Sequence, residues 1–198
     1  MPDNSFQAVG ILLCAGRGRR FDPSGRHDKL LQTLPSGELV AQASARTLRQ
    51  ACARVVAVLR PGSAALRQAL VDSGCEVLEC PDADLGMSAS LRAGLLHTRQ
   101  ANAWLIALAD MPYVQVDTCT SLLQALAAGA DMVAPFYQGK RGNPVGFSAA
   151  CLPELLALQG DQGARALLAQ SGLQEVPVSD AGILRDIDTP ADLAGMNS

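Results

Sequence analysis

Four arginines and one lysine crowd a single stretch, ILLCAGRGRRFDPSGRHDKLL at residues 11–31: Arg17, Arg19, Arg20, Arg26 and Lys29. Gly16 and Gly18 stand among them, directly after an apolar run. Glycine lets a backbone come close to a ligand and turn its N–H groups on phosphate oxygens. Clustered guanidinium and ammonium groups spread the charge of a triphosphate and stabilise a departing pyrophosphate. The alternative for the same residues is a solvated glycine turn with exposed arginines. Two familiar phosphate loops do not fit. In G-x-G-x-x-G the third glycine falls on Phe21, and no acidic residue ends the later run RVVAVLR. In G-x-x-x-x-G-K-[ST] the lysine follows glycine and precedes a hydroxyl residue, whereas Lys29 stands between Asp28 and Leu30. What remains is A-G-x-G-x-R, then a lysine.

Carboxylates supply the second half of the chemistry. In WLIALADMPYV an apolar run ends at Asp110 and Pro112 stops it, which puts a carboxylate at the carboxyl end of a strand. Such a group is costly unless paired or coordinated. It reads as a turn or cap residue, or as an oxygen ligand for Mg²⁺, which binds few protein carboxylates and fills its octahedron with water and substrate phosphates. In LRDIDTPADL, Asp186 and Asp188 alternate along an expected short strand, and Thr189-Pro190 opens the last helix. Asp188 is a helix cap on local grounds or a second acidic ligand. Ser88 and Ser90 fit helix capping and base contact equally. No G-x-S-x-G elbow or Cys-His pair is present. His97 falls on a helix as a half-exposed surface residue, and His27 has no evident role.

The elements that position these groups follow from the pattern around them. Strand-length apolar runs (QAVGILLC, RVVAVLR, CEVLEC, AWLIALA, DMVAPF) alternate with stretches of helical spacing (ELVAQASARTLRQA, SAALRQALVDSG, SASLRAGLLHTRQ, TCTSLLQALAAG). This alternation implies parallel strands with right-handed crossovers, hence a three-layer α/β sandwich. YQGKRGNPVGF is expected to add an antiparallel strand, followed by helices in CLPELLALQ and GARALLAQSG. Ligands of such sheets lie beyond the carboxyl ends of the strands.

Composition narrows the function. The 198 residues are 48% hydrophobic and only 4% aromatic, enough for one sizeable core, so a single domain over 1–198 is expected. A net charge of −3 argues against a general nucleic-acid or membrane surface. No apolar run approaches the ~18 residues of a membrane span, and MPDNSFQAVG lacks the features of a signal peptide, so a cytoplasmic location is expected. Six cysteines without a C-x-x-C pair read as buried thiols.

The ordered set LLCAGRGRR…K, LGMSASLRAGL, LADMP, GKRGNPVGF, GDQGARALL and DIDTPADL resembles the MobA-like nucleotidyltransferase family, on its molybdenum cofactor cytidylyltransferase (MocA-like) branch. The resemblance spans nearly the whole chain. It implies a Rossmann-like three-layer α/β/α sandwich with a mostly parallel central sheet, of the nucleotide-diphospho-sugar transferase type. The activity it implies is Mg²⁺-dependent transfer of CMP from CTP to the terminal phosphate of molybdenum-molybdopterin, the product passing to a molybdenum hydroxylase. Alternatives are transfer from GTP, ATP or UTP to a different phosphorylated acceptor, such as molybdopterin for guanylylation, a sugar phosphate or phospholactate, and a non-catalytic carrier of a dinucleotide cofactor for a partner dehydrogenase. Carried over by position, Leu13, Ala15, Gly16 and Gly18 would bind the nucleotide, and Arg20 and Lys29 its triphosphate. Asp110 and Asp188 would hold the metal. Gly86, Met87 and Ser88 match the loop that reads the base, and Gly142 and Pro144 the segment facing the acceptor. Ala15, where guanylyl-transferring relatives tend to carry glycine, leans towards CTP. Arg20-Phe21-Asp22 replaces the family's Arg-Met-Gly, and the insertion FDPSGRHD lengthens the path to Lys29, with Asp22 and Asp28 as candidates to place that lysine.

Overall fold

The computed structural model describes residues 6–160, 164–169 and 172–194. The strands β1 (Ala8–Leu13), β2 (Arg54–Leu59) and β4 (Ala103–Leu108) are nearly unbroken apolar runs. Such runs suit parallel strands covered on both faces. They pair in parallel, β1 in the middle, with Ile11 opposite Val56 of β2 and Ile106 of β4. Outside β2 lies β3 (Glu76–Glu79), also parallel. On the other flank β7 (Val145–Ser148) runs antiparallel between β4 and β5 (Met132–Tyr137), and β5 also pairs with β6 (Lys140–Arg141) and β8 (Leu173–Pro177).

Alternate side chains of each strand feed opposite cores. Leu12 and Leu105 join Leu48 of α1 (Val40–Ala51), Leu70 of α2 (Ala64–Asp72) and Leu122 of α4 (Val116–Ala127). Ile11 and Trp104 join Leu91 and Leu95 of α3 (Met87–His97) and Leu155 of α5 (Leu152–Leu156). Helices therefore cover both faces of a mostly parallel mixed sheet, giving the three expected layers. The chain leaves β1 for β2 and β3 on one side, then returns to place β4 on the other. That reversal opens a crevice at the carboxyl ends of β1 and β4, next to Gly16 and Asp110.

Three expectations are corrected. Residues 185–189, read as a strand carrying Asp186 and Asp188, are irregular backbone between a 3₁₀ turn (Ala181–Leu184) and α6 (Pro190–Ala194). The Ile187 N–H donates to the Asp110 carbonyl at 2.8 Å, outside any strand ladder. The strand in this part of the chain is β8, which the sequence reading passed over. GARALLAQSG gives a 3₁₀ helix over Ala164–Ala169, while residues 161–163 and 170–171, including most of GDQG, lie outside the described residues. Five cysteines are buried, Cys151 is half-buried, and all six are free thiols. Among the described residues no helix is long and apolar enough to cross a membrane.

Candidate active site

Lys29 is the centre of the crevice. Only 8% exposed, its Nζ donates to Asp110 Oδ2 at 2.7 Å and to Asp188 Oδ1 at 2.9 Å. Burial works to lower its pKa, and the two carboxylates, Asp110 foremost, more than reverse this, so the ammonium stays charged. Arg20 pairs with the other oxygen of Asp188 at 2.7 Å, although its own side chain is 79% exposed. Burial pushes the Asp188 carboxyl up, but Lys29 and Arg20 outweigh it and hold the group below the usual carboxylate range. The neighbouring Asp186 is shifted the opposite way, first by burial and then by the charge of Asp188. Asp110 Oδ1 is buried and has no hydrogen-bond partner among the described residues. Two carboxylates and one lysine thus meet from three distant parts of the sequence.

The local sequence explains how Lys29 arrives there. Asp22 accepts from the Ser24 hydroxyl at 2.6 Å and from the backbone N–H groups of Ser24 and His27, each at 2.8 Å. These bonds, that of the Ser24 hydroxyl foremost, hold its carboxyl well below the usual range. The insertion FDPSGRHD is therefore a compact loop closed on Asp22, with Phe21 buried beneath it. Asp28 then accepts from Leu30 N at 2.9 Å and caps the 3₁₀ turn Lys29–Leu31. Both aspartates organise the path to the lysine.

The crevice has two lobes. The first lobe, about 550 Å³, has an apolar floor of Leu13, Ala15, Ala83 and Leu108, with Gly16, Gly86, Met87 and Ser90 also on its walls. A Cβ added to Gly16 would meet no atom within 4 Å, and Gly18 has φ +57°, a left-handed conformation that favours glycine. The second lobe, about 740 Å³, is lined by Gly18, Arg20, Arg141, Gly142, Asn143, Asp186 and Asp188 together with apolar residues such as Val145 and Leu168. Arg17, Arg19, Lys29 and Asp110 line both.

Most of the residues singled out from sequence meet here, but Ser88, Pro144 and Arg26, the last exposed on the loop after β1, do not. Ser88 is buried but does not line either lobe, while Ser90 does, its Oγ buried without a partner among the described residues. Pro144, joined to Asn143 by a cis peptide bond, lies behind the second lobe against a small cavity that also touches Ser44 and Thr47. His97 pairs with Glu76 on the surface. Sequence reasoning missed Arg60 and Asp84. Arg60, just past β2, donates to the Ala15 carbonyl at 3.0 Å and pairs with Asp84, which also holds Arg17 at 2.6 Å. Arg60 could have been found by the criterion that marked Asp110, since it too stands at the carboxyl end of a central strand. Arg141 was missed as well; it donates to the Leu168 carbonyl at 3.0 Å from within the second lobe.

A family model described as the MobA-like NTP transferase domain matches residues 10–176. The purine catabolism protein PucB of Bacillus subtilis is 32% identical over 195 residues, 92% of each chain. The nicotine blue oxidoreductase of Paenarthrobacter nicotinovorans is 30% identical over 199 residues, 96% of each. The molybdenum cofactor cytidylyltransferase of Escherichia coli, the branch expected from the motifs, is more distant at 24% over 77% of this chain and 79% of its own. Among solved structures, Rv0371c of Mycobacterium tuberculosis superposes with a TM-score of 0.82 at 26% identity, covering 96% of this chain and 97% of its own. That protein has also been crystallised in complex with manganese. The fold is of the nucleotide-diphospho-sugar transferase type.

Proposed function

The chain belongs to the MobA-like NTP transferase family, and from that premise we propose that it transfers a nucleotidyl group, CMP from CTP foremost, to the terminal phosphate of a phosphorylated acceptor, with molybdenum-molybdopterin as the leading candidate. The observation that carries this reading is the Lys29–Asp110–Asp188 constellation between two lobes, one suited to a nucleotide and one to an acceptor. An acceptor phosphate oxygen attacks the α-phosphorus in line; the new P–O bond forms as the bond to the bridging oxygen breaks, and pyrophosphate leaves. The acceptor arrives ionised, so no protein base is required. The backbone at Gly16 and Gly18 approaches the phosphates, and Arg17, Arg19, Arg20 and Lys29 spread the charge that builds on the leaving group. Asp110 and Asp188 would hold a divalent cation, Mg²⁺ by preference, since their hard oxygen donors, including the unpartnered Asp110 Oδ1, fit one. That ion, when bound, neutralises charge on the phosphate oxygens. Ala15, Gly86 and Met87 favour the smaller base, with Ser90 Oγ, unpartnered among the described residues, placed to bond it.

One observation favours a second reading. A relative 30% identical over 96% of its length carries the name of an oxidoreductase. Against that reading, the position after β2 that binds a dinucleotide ribose with an acidic residue holds Arg60, and Phe21 replaces the third glycine. A screen of CTP, GTP, ATP and UTP against phosphorylated acceptors including molybdopterin, followed by pyrophosphate release, decides between them. Acceptor-dependent release with CTP supports the proposal. No release from any pair, together with a fluorescence titration that shows NADH or NADPH binding, overturns it.

A further inference from the structure

Asp110 and Asp188 are brought together by a clamp that touches neither carboxylate. We infer that Asp180 is a positioning residue: its buried carboxylate fastens the segment 180–189 to the connection between β4 and α4, and thereby sets Asp188 against Asp110 and Lys29. The inference rests on the nucleotidyl-transfer reading of those three residues.

Asp180 is 2% exposed and lines neither lobe of the crevice. Its Oδ2 accepts from Gln115 N and Thr118 Oγ1, and its Oδ1 from Gly182 N, all at 2.8 Å. No cation pairs with it among the described residues, so backbone donors and one hydroxyl alone balance it. Gln115 is the N-cap of α4, where unpaired N–H groups and the helix dipole favour a negative charge. One end of the segment is thus tied to the helix that follows Asp110. Two further fastenings lie downstream. A Cβ on Gly182 would stand 2.0 Å from the Tyr113 carbonyl oxygen, so the segment lies directly on the β4–α4 connection. The Ile187 N–H then bonds the Asp110 carbonyl, one residue before Asp188. A carboxylate suits three converging donors in a way an amide does not. Asparagine keeps one acceptor oxygen and turns its own NH₂ on an N–H, leaving at least one buried donor unpaired.

The test compares Asp180→Asn and the milder, volume-conserving Thr118→Val with wild type. Two quantities are read: amide hydrogen exchange at Ile187, and Mn²⁺ affinity in the presence of CTP, followed by the EPR signal of free Mn²⁺. In Asp180→Asn the Ile187 amide should exchange at least ~10-fold faster while the amides of β1 and β4 keep their protection, and Mn²⁺ should bind ~10-fold more weakly. Thr118→Val should move both in the same direction by less. A role in general stability alone would lower protection in β1 and β4 too and leave Mn²⁺ affinity unchanged; that result overturns the inference, as does unchanged exchange at Ile187. If wild type with CTP takes up no Mn²⁺, it is the metal-side reading of Asp110 and Asp188 that fails, and exchange at Ile187 still decides the clamp.

Discussion

The two lobes of the crevice are built in different ways. The first lobe, to which the proposal assigns the nucleotide, rests on the ends of adjacent parallel strands, β1 and β4, with the loop after β1 folded over it by short-range bonds such as those of Asp22 and Asp28. The second lobe is assembled from β6, the cis Asn143-Pro144 turn and the segment after β8, which are held by contacts between distant residues such as Asn143 N to the Ile183 carbonyl at 3.0 Å. Their charges differ as well. In the first lobe Asp84 pairs with Arg17 and Arg60 at the rim, beside an apolar floor. In the second lobe Asp186 and Asp188 stand with Arg20 and Arg141 along the wall itself. A flat base suits the first, and a phosphate-bearing polar molecule the second. On the proposed reading, Lys29 and Asp110, which line both lobes, stand with Asp188 where the bond passes from one substrate to the other.

The strongest way to break this comparison is to remove a shared group. Asp110→Asn should keep the fold, as read by circular dichroism, and lower turnover ~10²-fold or more, because it takes away charge used in the transition state. Near-normal turnover at saturating Mg²⁺ would free Asp110 of that role. Lys29→Ala should come next, slowing chemistry ~10-fold or more and weakening all four NTPs alike, since on the proposed reading the ammonium serves the phosphates and not the base. A change confined to one base would contradict it.

Substitutions confined to one lobe sharpen the comparison. Arg141→Ala should raise the KM of the acceptor ~10-fold and leave that of CTP unchanged, the scale of one charge-assisted hydrogen bond. Equal effects on both substrates would mean the lobes do not divide the work. The smallest effect belongs to Ala15→Gly. Removing one methyl from the base floor should shift the kcat/KM ratio of CTP to GTP towards GTP by ~10-fold at most, because Gly86, Met87 and Ser90 remain. An unchanged ratio removes Ala15 from specificity, and a wild type that prefers GTP removes cytidylyl transfer while leaving nucleotidyl transfer standing.

The same division governs what the sequence could disclose. The sheet was legible because β1, β2 and β4 are apolar runs flanked by helical spacing, and Asp110 stood out as a carboxylate closing such a run. Gly16, Gly18 and Lys29 were legible as a local cluster. The segment holding Asp186 and Asp188 looked like a strand because its polar and apolar residues alternate, yet its backbone is fixed by Asp180, Gly182 and Ile187 acting on residues some 70 positions away. The strand β8 escaped because LQEVP is an edge strand, half-exposed and ending in proline. Arg60, Asp84 and Arg141 read as ordinary surface charges until the fold turned them into the crevice.

The most direct test follows the label in CTP carrying ³²P at the α-phosphate, incubated with molybdopterin and Mg²⁺. Wild type should move the label into the acceptor in equal amount to the pyrophosphate released, and Asp110→Asn should slow both ~10²-fold or more, while Glu76→Gln, on the surface with His97, should change neither. Pyrophosphate without labelled acceptor, for every NTP and every phosphorylated acceptor offered, would contradict nucleotidyl transfer at this site.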